Sequence, residues 1–189
     1  MSQPAPRQLS RQVALQVLYA LDLRGERPRA SGKLEEAGNS QQEAPPPAPL
    51  PADPDTAFAA VAENFELPDG ARAFAQELVQ GVTARRVELD ATIAEHARNW
   101  RLARMAAVDR NVLRLATYEL VATRTPTSVV LDQAIELARR FGDDPSPAFV
   151  NGVLDAVARS TRPGADRDKL GPGRGEAEGE HRHSSGEDL

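Results

Sequence analysis

The sequence predicts an all-α fold, a bundle of seven helices joined by short links. Apolar residues recur at spacings of three and four through most of the chain, which is the period of a helix with one buried stripe. The strict alternation of a half-buried strand is nearly absent. Breakers such as Pro68, Pro126 and Gly142 fall where one stripe ends and the next begins.

Each element follows from its own stripe. Helix one covers about 7–24, with Leu9, Val13, Val17, Leu18 and Leu21 on one side. Helix two, about 55–66, carries Phe58, Val61, Ala62 and Phe65 and stops before Pro68. Asp69 is placed to cap helix three, whose inner face has Phe74, Leu78 and Val82. Helix four, about 88–99, uses Leu89, Ile93 and Ala97. Helix five, about 105–124, sets Val108, Val112, Leu115 and Glu119 on one side and ends at Pro126. Thr127 or Ser128 then caps helix six, with Val130, Ala134, Leu137 and Phe141 in line before Gly142. Helix seven, about 146–160, turns Phe149, Val150, Val153, Leu154 and Val157 inward. Gly81 and Gly152 fall inside helices, where glycine costs about 1 kcal/mol against alanine; close helix–helix approach is the expected reason at both.

The domain is therefore 1–24 together with 56–162. Between them, 25–55 is dense in Pro, Ala, Gly and charge, with Leu34 and Leu50 its main large apolar residues. Such a segment cannot offset its ordering entropy and is expected to be a disordered insert, stiffened locally by Pro45-Pro46-Pro47. The stretch 163–189 has the composition of a disordered polar tail. These two segments hold most of the acidic excess behind the net charge of −5, so a basic surface on the helical part is not excluded.

Composition narrows the function. Cysteine is absent, which excludes disulfides, thiol catalysis and a zinc ribbon and fits a reducing compartment. No apolar run approaches the ~18–20 residues that span a bilayer, and the N-terminus lacks the apolar core of a signal peptide. The expectation is a soluble cytoplasmic protein without a membrane role. Of the three histidines, His96 suits a structural place near a helix end, while His181 and His183 in the tail are a weak metal pair. No serine lies in a G-x-S-x-G turn, and Gly171, Gly173 and Gly175 follow no strand. The carboxylate pairs Asp143-Asp144 and Asp53/Asp55 suit caps and solvated turns. Nothing argues for an active site, a metal or a cofactor.

Two basic features remain. Arg7 and Arg11 lie one turn apart on helix one. Arg101, Arg104, Arg110 and Arg114 gather around the start of helix five behind Trp100, and Arg110, Arg114 and Tyr118 share one helix face. Guanidinium beside exposed aromatic rings suits single-stranded RNA; the alternative is an ordinary solvated face anchored to the core by an aromatic.

Five blocks in order resemble the bacterial NusB transcription antitermination family: RQVALQVLY (Arg11–Tyr19), the Leu78/Gly81-Val82/Leu89-Asp90/Ile93 spacing, VDRNVLRLATYEL (Val108–Leu120), AIELARRFG (Ala134–Gly142) and FVNGVLD (Phe149–Asp155). Trp100 sits where this family often has an aromatic. The resemblance implies two three-helix bundles packed across each other and no enzymatic activity. It implies an RNA-binding factor that, with the small-subunit ribosomal protein NusE, binds boxA-type single-stranded RNA of rRNA leader transcripts within the RNA polymerase antitermination complex. Residue by residue, it implies RNA contacts for Arg7 and Arg11 and for Asp144 and Ser146 in the loop before Phe149; the Arg110/Arg114 face is assigned to RNA from its own residues, not from the resemblance. It implies NusE contact for Tyr19. Some relatives are dimers, which leaves monomer and homodimer both open. The competing reading is a protein–protein adaptor of the transcription complex with weak or lost RNA binding.

Overall fold

The computed structural model describes residues 6–26, 53–97 and 100–163. The expected disordered insert and tail, and with them His181, His183 and the alternating glycines, lie almost wholly outside the described residues. Seven helices make up the described chain: α1 (Pro6–Glu26), α2 (Pro54–Ala62), α3 (Asp69–Ala84), α4 (Arg86–His96), α5 (Ala107–Ala122), α6 (Thr127–Phe141) and α7 (Ser146–Thr161), with a single 3-10 turn at Leu102–Arg104 before α5. There is no strand among the described residues.

Local chemistry explains most of the boundaries. Asp53 caps α2 by accepting the Thr56 N–H at 2.9 Å, and Pro54 occupies the first turn, where a missing N–H costs nothing. The capping expected of Asp69 and Thr127 is not found. Pro68 and Pro126 are the N-cap residues, and Asp69 and Thr127 are already the first helical residues. Proline's fixed φ ends the preceding link, so no side-chain cap is needed to define the start.

The helices α1, α2 and α3 pack on one another as the first bundle. The second is α5, α6 and α7, with α4 laid along α5 and α7; α5 joins the two by also touching α1 and α3. One apolar core runs through both, from Val13, Val17 and Leu18 of α1 to Val150, Leu154 and Val157 of α7. Each such side chain contributes roughly 1.5–3 kcal/mol on full burial. Position makes α5 unusual. Every residue from Asp109 to Leu120 is buried, so its polar residues meet protein on all sides instead of water.

Gly81 and Gly152 have different explanations. A Cβ at Gly81 would fall 2.1 Å from the Tyr118 ring, so α3 and α5 approach there as closely as glycine allows. At Gly152 a Cβ would meet nothing within 4 Å, so the expected helix–helix approach is corrected: that glycine faces an open cleft. A contact not foreseen closes the second bundle. The Arg162 guanidinium donates to the carbonyls of Leu120, Thr125, Glu119 and Thr123 at 2.6, 2.6, 3.0 and 2.7 Å, satisfying the carbonyls freed at the end of α5.

Candidate nucleic-acid and partner interface

The arginine face expected on α5 is inside the molecule. Arg110 and Arg114 are 3% and 4% exposed and converge on Asp22 of α1. Arg110 donates from Nε and Nη2 to Asp22 Oδ2 at 2.8 and 2.6 Å, and Arg114 Nη1 donates to Oδ1 at 2.9 Å. Asn111 adds a bond to Oδ2 at 3.0 Å, and Arg86 reaches Oδ1 at 3.2 Å. Arg114 also forks onto Asp90 of α4, at 2.6 and 2.9 Å. Burial alone would raise the Asp22 carboxyl, but the guanidinium groups of Arg114 and Arg110 outweigh it and hold the group below its ordinary value. Arg110 and Arg114 are thus corrected from RNA contacts to the ionic joint between the two bundles. Tyr118, assigned to the same face, lies over Gly81, and burial pushes its phenol up.

Arg11 is likewise buried. Its Nε and Nη2 bind the two Glu119 oxygens at 2.8 and 2.6 Å, a bidentate pair linking α1 to α5. It is corrected from an arm contact to a structural pair. Arg7, one turn earlier, is exposed and stands over the Phe74 ring at 4.9 Å, which orients its guanidinium without consuming its donors.

Tyr19 is 38% exposed. It borders an open hollow of about 460 Å³ with Gln16, Ala20, Val61, Val108 and Phe141, an apolar floor gathered from α1, α2, α5 and α6. Beside Val108 lies Asp109, and beside Phe141 begins the loop to α7. The two are close: the Asp143 N–H donates to Ser146 Oγ at 3.1 Å, and the Ser146 side chain lies near enough to Asp109 to lower its carboxyl. Gly142 lets this loop close tightly, since a Cβ there would sit 2.7 Å from Ser146. Burial raises the Asp109 carboxyl, the Ser146 side chain lowers it in part, and the nearby Asp143 charge raises it further. Its Oδ1 is buried without a partner. Ser146 is buried too, so it is corrected from an RNA contact to the tie that sets the loop, whereas Asp144 is exposed on that loop.

Of the residues assigned from sequence, the surface therefore keeps Arg7, Tyr19 and Asp144. Asp22 falls one turn after Leu18 on the buried side of α1, but nothing in the sequence pairs it, or Asp90, with Arg110 and Arg114. Val61 and Phe141 at the Tyr19 hollow gave no signal beyond ordinary core residues.

These features define an all-helical module that presents exposed aromatic, apolar and basic side chains from a rigid two-bundle scaffold. The NusB family profile matches residues 8–159, and the chain belongs to the NusB family. The transcription antitermination protein NusB of Desulfitobacterium hafniense (strain DSM 10664 / DCB-2) is 37% identical over 82% of this chain and 88% of its own length. That of Solibacter usitatus (strain Ellin6076) is 52% identical over 46% of this chain, an alignment spanning 59% of that relative. Among solved structures, T. maritima NusB aligns with a TM-score of 0.67 at 27% identity, covering 90% of this chain and all of that one. A crystal structure of antitermination factors NusB and NusE in complex with dsRNA aligns with a TM-score of 0.62 at 28% identity, covering 82% of this chain and 97% of that one. No helix among the described residues is long and apolar enough to cross a membrane.

Proposed function

We propose that this chain is an RNA-binding transcription antitermination factor that, with the NusE ribosomal protein, binds boxA RNA of rRNA leader transcripts and supports rRNA transcription within the RNA polymerase antitermination complex. The observation that carries the reading is the likeness, over 82% of this chain, to NusB in a complex with NusE and dsRNA. The surface supports it. Tyr19 at the rim of an apolar hollow is the kind of aromatic anchor that dominates interface energies. Arg7 supplies a guanidinium for phosphate, and the Asp144 carboxylate can accept a base amino group but not a phosphate.

Tyr19→Ala tests the partner half. An anchor should lose about 2 kcal/mol or more of NusE binding in a pull-down titration, while its partly exposed ring should cost the fold only about 1 kcal/mol. A variant that melts and binds like wild type would remove Tyr19 from the interface. A second reading, an adaptor with weak or lost RNA binding, is favoured by the burial of Arg11, Arg110 and Arg114, which takes three of the four assigned arginines away from RNA.

A further inference from the structure

We infer that the cleft between α4 and α7, walled by Trp100 and floored at Gly152, is a base-stacking subsite for single-stranded RNA. The inference rests on the RNA-binding reading above and extends it to a place that none of the assigned contacts uses.

Trp100 is 57% exposed, although an indole is among the largest apolar surfaces a chain can leave in water. An exposed apolar group rimmed by polar ones marks a binding site more often than an isolated one does. Phe149 packs beside the indole, with ring centroids 5.1 Å apart and planes at 53°. Both rings line a cleft of about 660 Å³, within the range of sites that hold small ligands. The floor on α7 is kept low by Ala148, Gly152 and Ala156 at successive turns, and a Cβ at Gly152 would enter open space. A flat ring can therefore lie against the indole without displacing a side chain.

The rim favours a nucleotide over an apolar peptide. Arg159 lines the cleft, where it is paired with Asp155 at the surface. Arg101 and Arg104 are exposed within four residues of Trp100 in the chain, a local supply of cations for the phosphates of a strand lying on the indole. Glu95 is the acidic member of the rim. His96 Nδ1 lies 2.8 Å from the Thr92 carbonyl. A carbonyl only accepts, so Nδ1 donates there, and in the neutral ring Nε2 is then the acceptor for a base N–H. The cleft also adjoins the loop bearing Asp144, since Phe149 belongs to the first turn of the helix that follows it. A strand crossing that loop would pass directly to Trp100.

The chain has one tryptophan, so its emission reports this cleft alone. Titrating the full chain with boxA-like single-stranded RNA should quench that emission along the same isotherm as filter retention. Trp100→Ala should weaken RNA binding on the order of tenfold, the worth of one stacked base. It should leave the salt slope unchanged, because no charge is removed, and Trp100→Phe should restore most of the affinity. Gly152→Leu, which fills the floor, should weaken RNA binding without lowering Tm. Retention of RNA with unchanged emission, and with Trp100→Ala binding like wild type, would overturn the subsite while leaving RNA binding in place. Emission that answers to NusE but not to RNA would also overturn it. Failure of the wild type to retain RNA at all would sink the RNA-binding reading, and the subsite with it.

Discussion

Replacing Arg11 with alanine separates the structural role found for this residue from the RNA contact expected of it. The guanidinium makes two charge-assisted bonds, at 2.8 and 2.6 Å, to a glutamate that is 2% exposed. It also lies 5.4 Å from the Phe74 ring. Truncation leaves Glu119 buried without its cation, and breaking such a pair from one side costs about 3–5 kcal/mol. At roughly 3–5 °C per kcal/mol for a domain of this size, Tm should fall by about 10–20 °C. Thermal melting followed by circular dichroism measures the shift, and urea titration converts it to free energy. The control is the double variant Arg11→Met with Glu119→Leu. Replacing a buried ion pair by apolar residues is often neutral or stabilising, so the double variant should be more stable than Arg11→Ala. Should Arg11→Ala melt within about 2 °C of wild type while losing RNA affinity, Arg11 would be a surface contact and the buried-pair account would be wrong.

Arg7→Ala should behave in the opposite way: Tm holds, while the slope of log K against log[salt] flattens by about 0.7, the single-strand increment per phosphate contact. Unchanged salt dependence would remove Arg7 from the RNA. The two helical glycines should also part company. Gly81→Ala must push a methyl into the Tyr118 ring and should cost roughly 1–3 kcal/mol, whereas Gly152→Ala meets open space and should gain up to about 1 kcal/mol; equal shifts in urea midpoint would refute the packing difference. The Asp22 carboxyl is held below its unfolded-state value of 3.8, so its contribution is present above that value and is lost as pH falls through the depressed folded one. Asp22→Asn should therefore lower stability at neutral pH and reduce the pH dependence of the acid limb, which urea melts across that range would show.

The helices and most core positions were legible because amphipathic periodicity is a local signal. Val13, Val17, Leu78, Leu89, Val112, Leu137 and Leu154 face inward as their stripes require. What failed was the reading of polar stripes. Arg110 and Arg114 at a spacing of four look the same from sequence whether they meet water or a second bundle. Only the packing of α1 and α4 against α5 supplies Asp22 and Asp90 and turns that stripe inward. Arg11 and Glu119 illustrate the same limit at a separation of 108 residues. The Arg162 clasp was equally hidden, because the guanidinium reaches the four carbonyls at the end of α5 only after α6 and α7 have folded back. Tyr19 was assigned through the family resemblance alone, since helical periodicity left it open between the core and the surface; it and Arg7 are both exposed. Ser146 resembled a solvated loop residue because nothing in its neighbourhood announces the Asp109 carboxyl that lies beside it.

Filter retention of boxA-like RNA by this chain, with and without NusE, is the decisive measurement. The pair should retain this RNA more tightly than either protein alone and prefer it to a scrambled sequence. Log K should fall with log[salt] at a slope of about −2 to −4, as neutralisation of a few phosphates requires. Retention that gains nothing from NusE and treats both sequences alike would contradict the proposed function.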